Sequence, residues 1–131
     1  MLFQSGLTDA FRMQLLQAAL TLGVYRIALY GADANLEAGT PAYTSEGEVQ
    51  ARNYPPGGFV LQGGKVDMVD GVALIEWAQP QMPPMTVEAY AALIYLENGP
   101  AVAVLAFQEP VRSTNGPVIV PLDQCIQWGR S

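Results

Sequence analysis

The chain has no histidine and a single cysteine, Cys125, in 131 residues. Without histidine, no Ser-His or Cys-His pair can form, and the commonest metal ligand is missing. One cysteine excludes an internal disulfide framework. Cys125 sits between Gln124 and Ile126 and reads as a small, partly buried apolar residue rather than a nucleophile. Charge is also scarce, at 14% of residues against about 25% in ordinary domains. The basic residues Arg12, Arg26, Arg52, Lys65, Arg112 and Arg130 are scattered, and the formal net charge is −6. No basic face is available to displace counterions from nucleic acid or to hold an anionic membrane surface, so neither partner is expected. Apolar runs such as residues 101–107 fall far short of the ~20 residues that a helical membrane span needs. The start, Met-Leu-Phe-Gln-Ser-Gly, lacks the basic segment of a secretory signal. No fixed-period repeat is present.

Apolar residues are abundant instead, at half of the chain. The length fits one domain over residues 1–131. A core of that size leaves apolar surface over, and oligomerisation is its natural outlet. Residues 8–22 read as one amphipathic helix. Phe11, Leu15, Ala18 and Leu22 fall on one face, and Met13, Leu16 and Leu20 widen the stripe. Thr8 or Asp9 can cap its start, and Gly23 supplies its stop. This helix either lies over a sheet or makes an assembly contact.

The remainder reads as short strands between turns. Residues 24–30 form the first, with Val24, Arg26, Ala28 and Tyr30 on one face and Tyr25, Ile27 and Leu29 on the other. Residues 31–41 are a loop, and residues 42–49 are ambiguous. Asn53-Tyr54-Pro55-Pro56-Gly57-Gly58 must be a loop, because two prolines fix φ and two glycines permit its positive range. Phe59 and Leu61 open the next strand. Residues 65–68 and 71–77 pair through Asp70-Gly71, a hairpin signal. Residues 79–84 are an extended loop. Residues 86–96 and 101–107 form a hairpin across Glu97-Asn98-Gly99-Pro100. Residues 111–116 read as loop, and residues 117–122 as a late edge strand flanked by prolines. Trp128 can pin the tail, residues 123–131, or sit in an interface. The expected class is mainly β: an antiparallel β-sandwich or jelly-roll-like fold over about residues 24–122, with one N-terminal α-helix.

Few groups could carry chemistry. Asp67, Asp70 and Glu76 are the densest acidic set, but they lack the ligand spacing of an EF-hand and suit a solvated hairpin. Glu46 and Glu48 lie near Tyr43 and Arg52 and read as a polar loop. Gly57-Gly58 and Gly63-Gly64 precede no helix pattern and no Gly-Lys-Ser/Thr, so they are not phosphate loops. Tyr25, Tyr30, Tyr43, Tyr54, Tyr90, Tyr95, Trp77 and Trp128 could build a sugar-stacking platform, although strand aromatics usually serve the core. Of these, Tyr54 beside Pro55 is the one most expected at the surface. No catalytic residue, metal or cofactor is assigned.

The segments also fall in a recognisable order. Tyr25-Arg26-Ile27-Ala28-Leu29-Tyr30 follows the helix. Ala42-Tyr43-Thr44-Ser45-Glu46-Gly47-Glu48-Val49 comes next, then Asn53-Tyr54 with Gly57-Gly58 and Leu61. Ala91-Ala92-Leu93-Ile94-Tyr95, Ala101 to Phe107 and Asn115-Gly116 complete the series. This order resembles a family of small virion-associated proteins of tailed bacteriophages, from about Gly6 to Val120. Pro55-Pro56 and the loop at residues 79–84 are richer in proline than that pattern. The resemblance implies a non-enzymatic structural protein located in the virion. It would be a capsid decoration or cement protein, with a neck, tail or fibre-base component as the near alternative. A glycan- or host-surface-binding module is the alternative from another class. The implied partners are the major capsid protein, other virion proteins and further copies of the chain. The expected contact residues are Leu2, Phe3, Tyr54, Pro55, Pro56, Met82, Pro83, Pro84 and Trp128, because proline-rich loops lose little entropy on docking.

Overall fold

A computed structural model describes residues 3, 6–122 and 126–128. Leu2 and Cys125 lie outside the described residues. In chain order the elements are α1 (Asp9–Ala19), β1 (Tyr25–Tyr30), β2 (Phe59–Val60), β3 (Lys65–Val69), β4 (Val72–Glu76), β5 (Met85–Leu96), β6 (Ala101–Gly116) and β7 (Ile126–Trp128). Every strand pairing among the described residues is antiparallel. The class is therefore the expected one, mainly β with a helix near the N-terminus. The chain divides into two compact units.

The first unit holds α1 and the sheet β3-β4-β7. Thr8 caps α1 by accepting a hydrogen bond from the Phe11 N–H at 3.3 Å. The helix ends at Ala19, three residues short of the expected limit. Thr21 N–H donates to Ala18 and Leu22 N–H to Ala19, which tightens the last turn. The Thr21 hydroxyl also donates to the Ala18 carbonyl at 2.7 Å, competing with helical continuation. The helix is also rotated from its expected orientation. Phe11 and Leu15 remain 48% and 39% exposed, while Arg12 is 1% exposed. The inner face is Arg12, Met13, Leu16 and Ala19. The turn of the β3–β4 hairpin is the predicted one, with Asp70 and Gly71 both at positive φ (51° and 79°). Residues 126–128, within the stretch expected as a tail, pair with β4 so that Trp128 faces Ala73.

The second unit holds the sheet β2-β1-β5-β6. β1 lies inside the sheet and buries five of its six residues, which accounts for its apolar character on both faces. β5 alternates over its first half and is continuously buried from Ala92 to Tyr95. In that second half it is flanked by β1 on one side and β6 on the other. The β5–β6 hairpin forms as expected, with Asn98 in its turn at φ 61°.

Two strand expectations are corrected here. Residues 111–116 are the end of β6, paired with Met85–Ala89, rather than a loop. An irregularity accommodates them, since residues 107–110 face only Tyr90 between the Ala91↔Ala106 and Ala89↔Val111 pairs. Residues 117–122 form no strand. Val118 and Val120 are buried, but Val120 N–H donates to the Gln79 side-chain oxygen at 3.1 Å instead of to a ladder. The prolines at 117 and 121 remove backbone donors at both ends.

Candidate functional site

The connection from β1 to β2, residues 31–58, has no helix or extended strand of its own. Loops of this length are uncommon in compact domains and need an organiser. Glu48 organises this one. Its Oε1 accepts from the Tyr43 hydroxyl at 2.5 Å. Its Oε2 accepts from the Tyr54 hydroxyl at 2.6 Å and from the Gly57 N–H at 3.0 Å. Tyr54 Oη in turn accepts from the Leu29 N–H of β1 at 2.9 Å. Tyr95 donates from β5 to the Gly57 carbonyl at 2.5 Å, and Tyr30 donates to the Thr44 carbonyl at 2.7 Å. Four tyrosines and one carboxylate thus tie both halves of the loop to the sheet.

Glycine makes the close approach possible. Gly58 has φ 79°, and a Cβ there would lie 1.9 Å from the Ile27 carbonyl oxygen. Gly47 has φ 79°, and a Cβ there would lie 2.5 Å from the Ala34 Cα. A side chain at either position would push the loop off its support.

Burial sets the chemistry of this cluster. Desolvation, the hydrogen bond to Glu48 and the Glu48 charge raise the Tyr43 pKa to about 12. Burial raises Tyr30 and Tyr54 well above the ordinary tyrosine value, and Glu48 raises both further. Burial also raises Tyr95. At neutral pH these hydroxyls are protonated and act as hydrogen-bond donors. Their acidity is far from the near-neutral range that suits proton transfer. Tyr43 and Tyr95 stack with ring centroids 5.0 Å apart behind an open cleft of about 460 Å³. Arg26 and Glu97 pair at 2.7 Å on the rim of that cleft.

The acidic hairpin does not converge. Asp67 accepts from the neighbouring Met68 N–H at 2.8 Å, and Glu76 pairs with Lys65 at 3.7 Å across the β3–β4 register. Asp70 forms the turn. Among the described residues, no group of three or more Cys, Asp or Glu side chains could hold a metal ion. The Gly63-Gly64 pair leads directly into β3.

The expected contact residues separate. Tyr54, expected at the surface, is 8% exposed because its hydroxyl bridges Glu48 and β1. Pro55, Pro56, Pro83 and Pro84 are exposed, and Met82 is half-buried. Phe3 is 86% exposed. Trp128 is half-buried, and its carbonyl accepts from Arg12 Nη1 at 2.6 Å. The aromatic platform does not assemble, since Tyr25, Tyr30, Tyr54, Tyr95 and Trp77 are core residues. Tyr90 is exposed but donates to Glu88 at 2.7 Å, and Glu88 also accepts from Arg112 at 2.5 Å.

Two open surfaces were missed or misread in the sequence. The outer face of α1 carries Phe11 and Leu15, with Leu7 before the helix and Leu22 after it also exposed. The outer edge of β6 bears no partner strand over most of its length among the described residues. Its uncharged Ala-Val run was the available signal. No protein-family model, curated protein or solved structure matches the chain.

Proposed function

We propose that the chain is a non-enzymatic structural protein of a tailed-phage virion, acting as a capsid decoration or cement protein. The observation that supports this reading best is the apolar surface of the first unit. Phe3, Leu7, Phe11, Leu15 and Leu22 are all exposed in a chain with little charge to keep such a surface solvated. The polar clusters weigh on the same side. Glu48 has its oxygens occupied by three donors, and its tyrosine partners stay protonated at neutral pH. That arrangement serves loop architecture better than turnover. Each copy would bury apolar side chains and exposed proline loops against capsid subunits, and symmetry would multiply a modest contact into avidity. The major capsid protein is the proposed partner, and the virion the proposed location.

The test is co-sedimentation of the purified protein with empty capsids of its source particle. Saturable binding at a fixed copy number per shell is expected, and Phe11→Ser with Leu15→Ser should abolish it while leaving the far-UV spectrum intact. Absence of binding, with a stable ring in isolation, moves the protein to the neck or tail.

A further inference from the structure

The cleft in front of Tyr43 and Tyr95 lies wholly within the second unit. Its volume, about 460 Å³, falls within the roughly 300–1,000 Å³ usual for small-molecule sites. Each of its walls is tied down. Tyr43 is half-buried, with its ring packed on Tyr95 and its hydroxyl engaged by Glu48. Ala42 beside it bridges Pro100, and the Pro41 carbonyl accepts from the Ala101 N–H. Gly57 donates to Glu48 and accepts from Tyr95. It has φ 93°, and a Cβ there would lie 3.1 Å from Tyr95 Oη, so this wall stays without a side chain. In the β5–β6 turn, Leu96 N–H donates to Pro100 and Gly99 N–H donates to Leu96. That turn presents Asn98, exposed and at φ 61°. The cleft is therefore preformed, and a ligand has little to order on entry.

The chemistry of the walls narrows the ligand. Arg26 Nε donates to Glu97 Oε2 at 2.7 Å, and these side chains are 30% and 43% exposed. That bond uses one nitrogen and one oxygen, which leaves guanidinium donors and a carboxylate acceptor for a ligand. The pair is neutral as a whole. An anion would meet Glu97 in a chain of net charge −6, and a cation would meet Arg26. The tyrosine hydroxyls are bonded to Glu48 and Gly57, so the rings offer carbon surface rather than polarity. The Asn98 amide adds donors and an acceptor. A purely apolar ligand would cover these polar groups without pairing them. A peptide backbone carries single, spaced donors and acceptors and no flat C–H face. A pyranose sugar is uncharged, has a C–H face that lies against an aromatic ring, and bears adjacent hydroxyls that each donate and accept.

We propose that this cleft binds a neutral saccharide. Tyr43 would take the C–H face of one sugar ring, and Arg26, Glu97 and Asn98 would hold its hydroxyls. One ring and three polar side chains suffice for this, although the wider aromatic platform does not assemble. The cleft opens to solvent, so the bound ring is either a free sugar or one unit of a longer glycan. None of Phe3, Leu7, Phe11, Leu15 and Leu22 lines it. The site therefore stands apart from capsid attachment, and failure of either leaves the other in place.

The experiment is an amide NMR titration of the isotope-labelled full chain. The ligands are the methyl glycosides of glucose, galactose and mannose, together with maltotetraose and cellotetraose, each up to about 20 mM, where millimolar affinity registers. Saturable shifts are expected at Gly57, Asn98 and Gly99. Shifts with the methyl glycosides assign the site to single sugars, and shifts with the tetrasaccharides alone assign it to a polymer. Tyr43→Phe and Tyr43→Ala both lose the hydroxyl that Glu48 holds, but only the second loses the ring. Binding should survive in the first and weaken about tenfold or more in the second. Asn98→Gly keeps the turn, since glycine accepts that φ, and should weaken binding several-fold. Glucuronate should bind more weakly than the neutral glucoside and gain affinity on Glu97→Gln, which leaves Arg26 uncompensated. Absence of saturable shifts with all five ligands overturns the inference. Equal affinities of the two Tyr43 variants overturn it too, as does glucuronate binding tighter than the neutral sugars. If Tyr43→Ala does not fold, Asn98→Gly decides, and unchanged affinity there overturns the inference as well.

Discussion

Replacing Glu48 with alanine should cost more stability than any other single change on the loop surface of the second unit. The carboxylate accepts three hydrogen bonds, two from tyrosine hydroxyls and one from a backbone N–H. Hydrogen bonds to a charged group contribute roughly 1.5–3 kcal/mol each. Tyr43 and Gly57 are only half-buried, so water can replace part of what they lose. Tyr54 is buried and keeps just its bond from Leu29. The expected loss is therefore about 3 kcal/mol, well below the sum of three bonds. In a chain of this size that lowers the thermal midpoint by roughly 10 °C. Glu48→Gln retains one acceptor and should cost about half as much. Urea titration followed by tryptophan fluorescence and far-UV circular dichroism would measure both. Tyr54→Phe combined with Glu48→Ala should cost clearly less than the two single changes added, because they break a shared bond. A Glu48→Ala loss below about 0.5 kcal/mol, the level of an ordinary surface substitution, would refute the role assigned to this residue.

Two further perturbations probe the first unit and the tyrosines. Arg12→Ala should destabilise by about 3 kcal/mol, since it removes a buried stem and the donors to Trp128 and Asp9. Arg12→Met should cost about 1–2 kcal/mol less, because it keeps the stem and removes the Nε that has no partner; equal losses on denaturant titration would assign the effect to charge instead. The tyrosines predict a stability loss in alkali. Below pH 10 both the folded and unfolded chains keep the tyrosine proton. Above it the unfolded chain releases protons that Tyr30, Tyr43 and Tyr54 retain when folded, so stability falls and keeps falling toward about 12, where Tyr43 ionises. Absorbance at the tyrosinate band should therefore rise late and together with loss of the circular dichroism signal; an early titration centred near 10 in the intact fold would contradict the burial described.

What the sequence reveals depends on whether a feature is local. The Asp70-Gly71 turn, the β5–β6 hairpin and the Thr8 cap were all legible, because each depends on residues a few positions apart. The orientation of α1 was not. Both of its faces are apolar enough to pack, and the choice rests on Arg12 reaching the Trp128 carbonyl more than a hundred residues away. Tyr54 was misread for a similar reason. A tyrosine beside two prolines has the local signature of a surface loop, and only Glu48 and the Leu29 N–H turn it inward. Residues 111–116 look like a loop because Arg112, Ser113, Thr114 and Asn115 are polar. They are strand because an edge strand needs apolar residues on one side at most. The run at residues 102–106 misleads in the opposite direction. It is as apolar as a central strand, yet β6 has no fully buried residue along its length, because it stands at the edge of its sheet and has β5 on one side alone among the described residues.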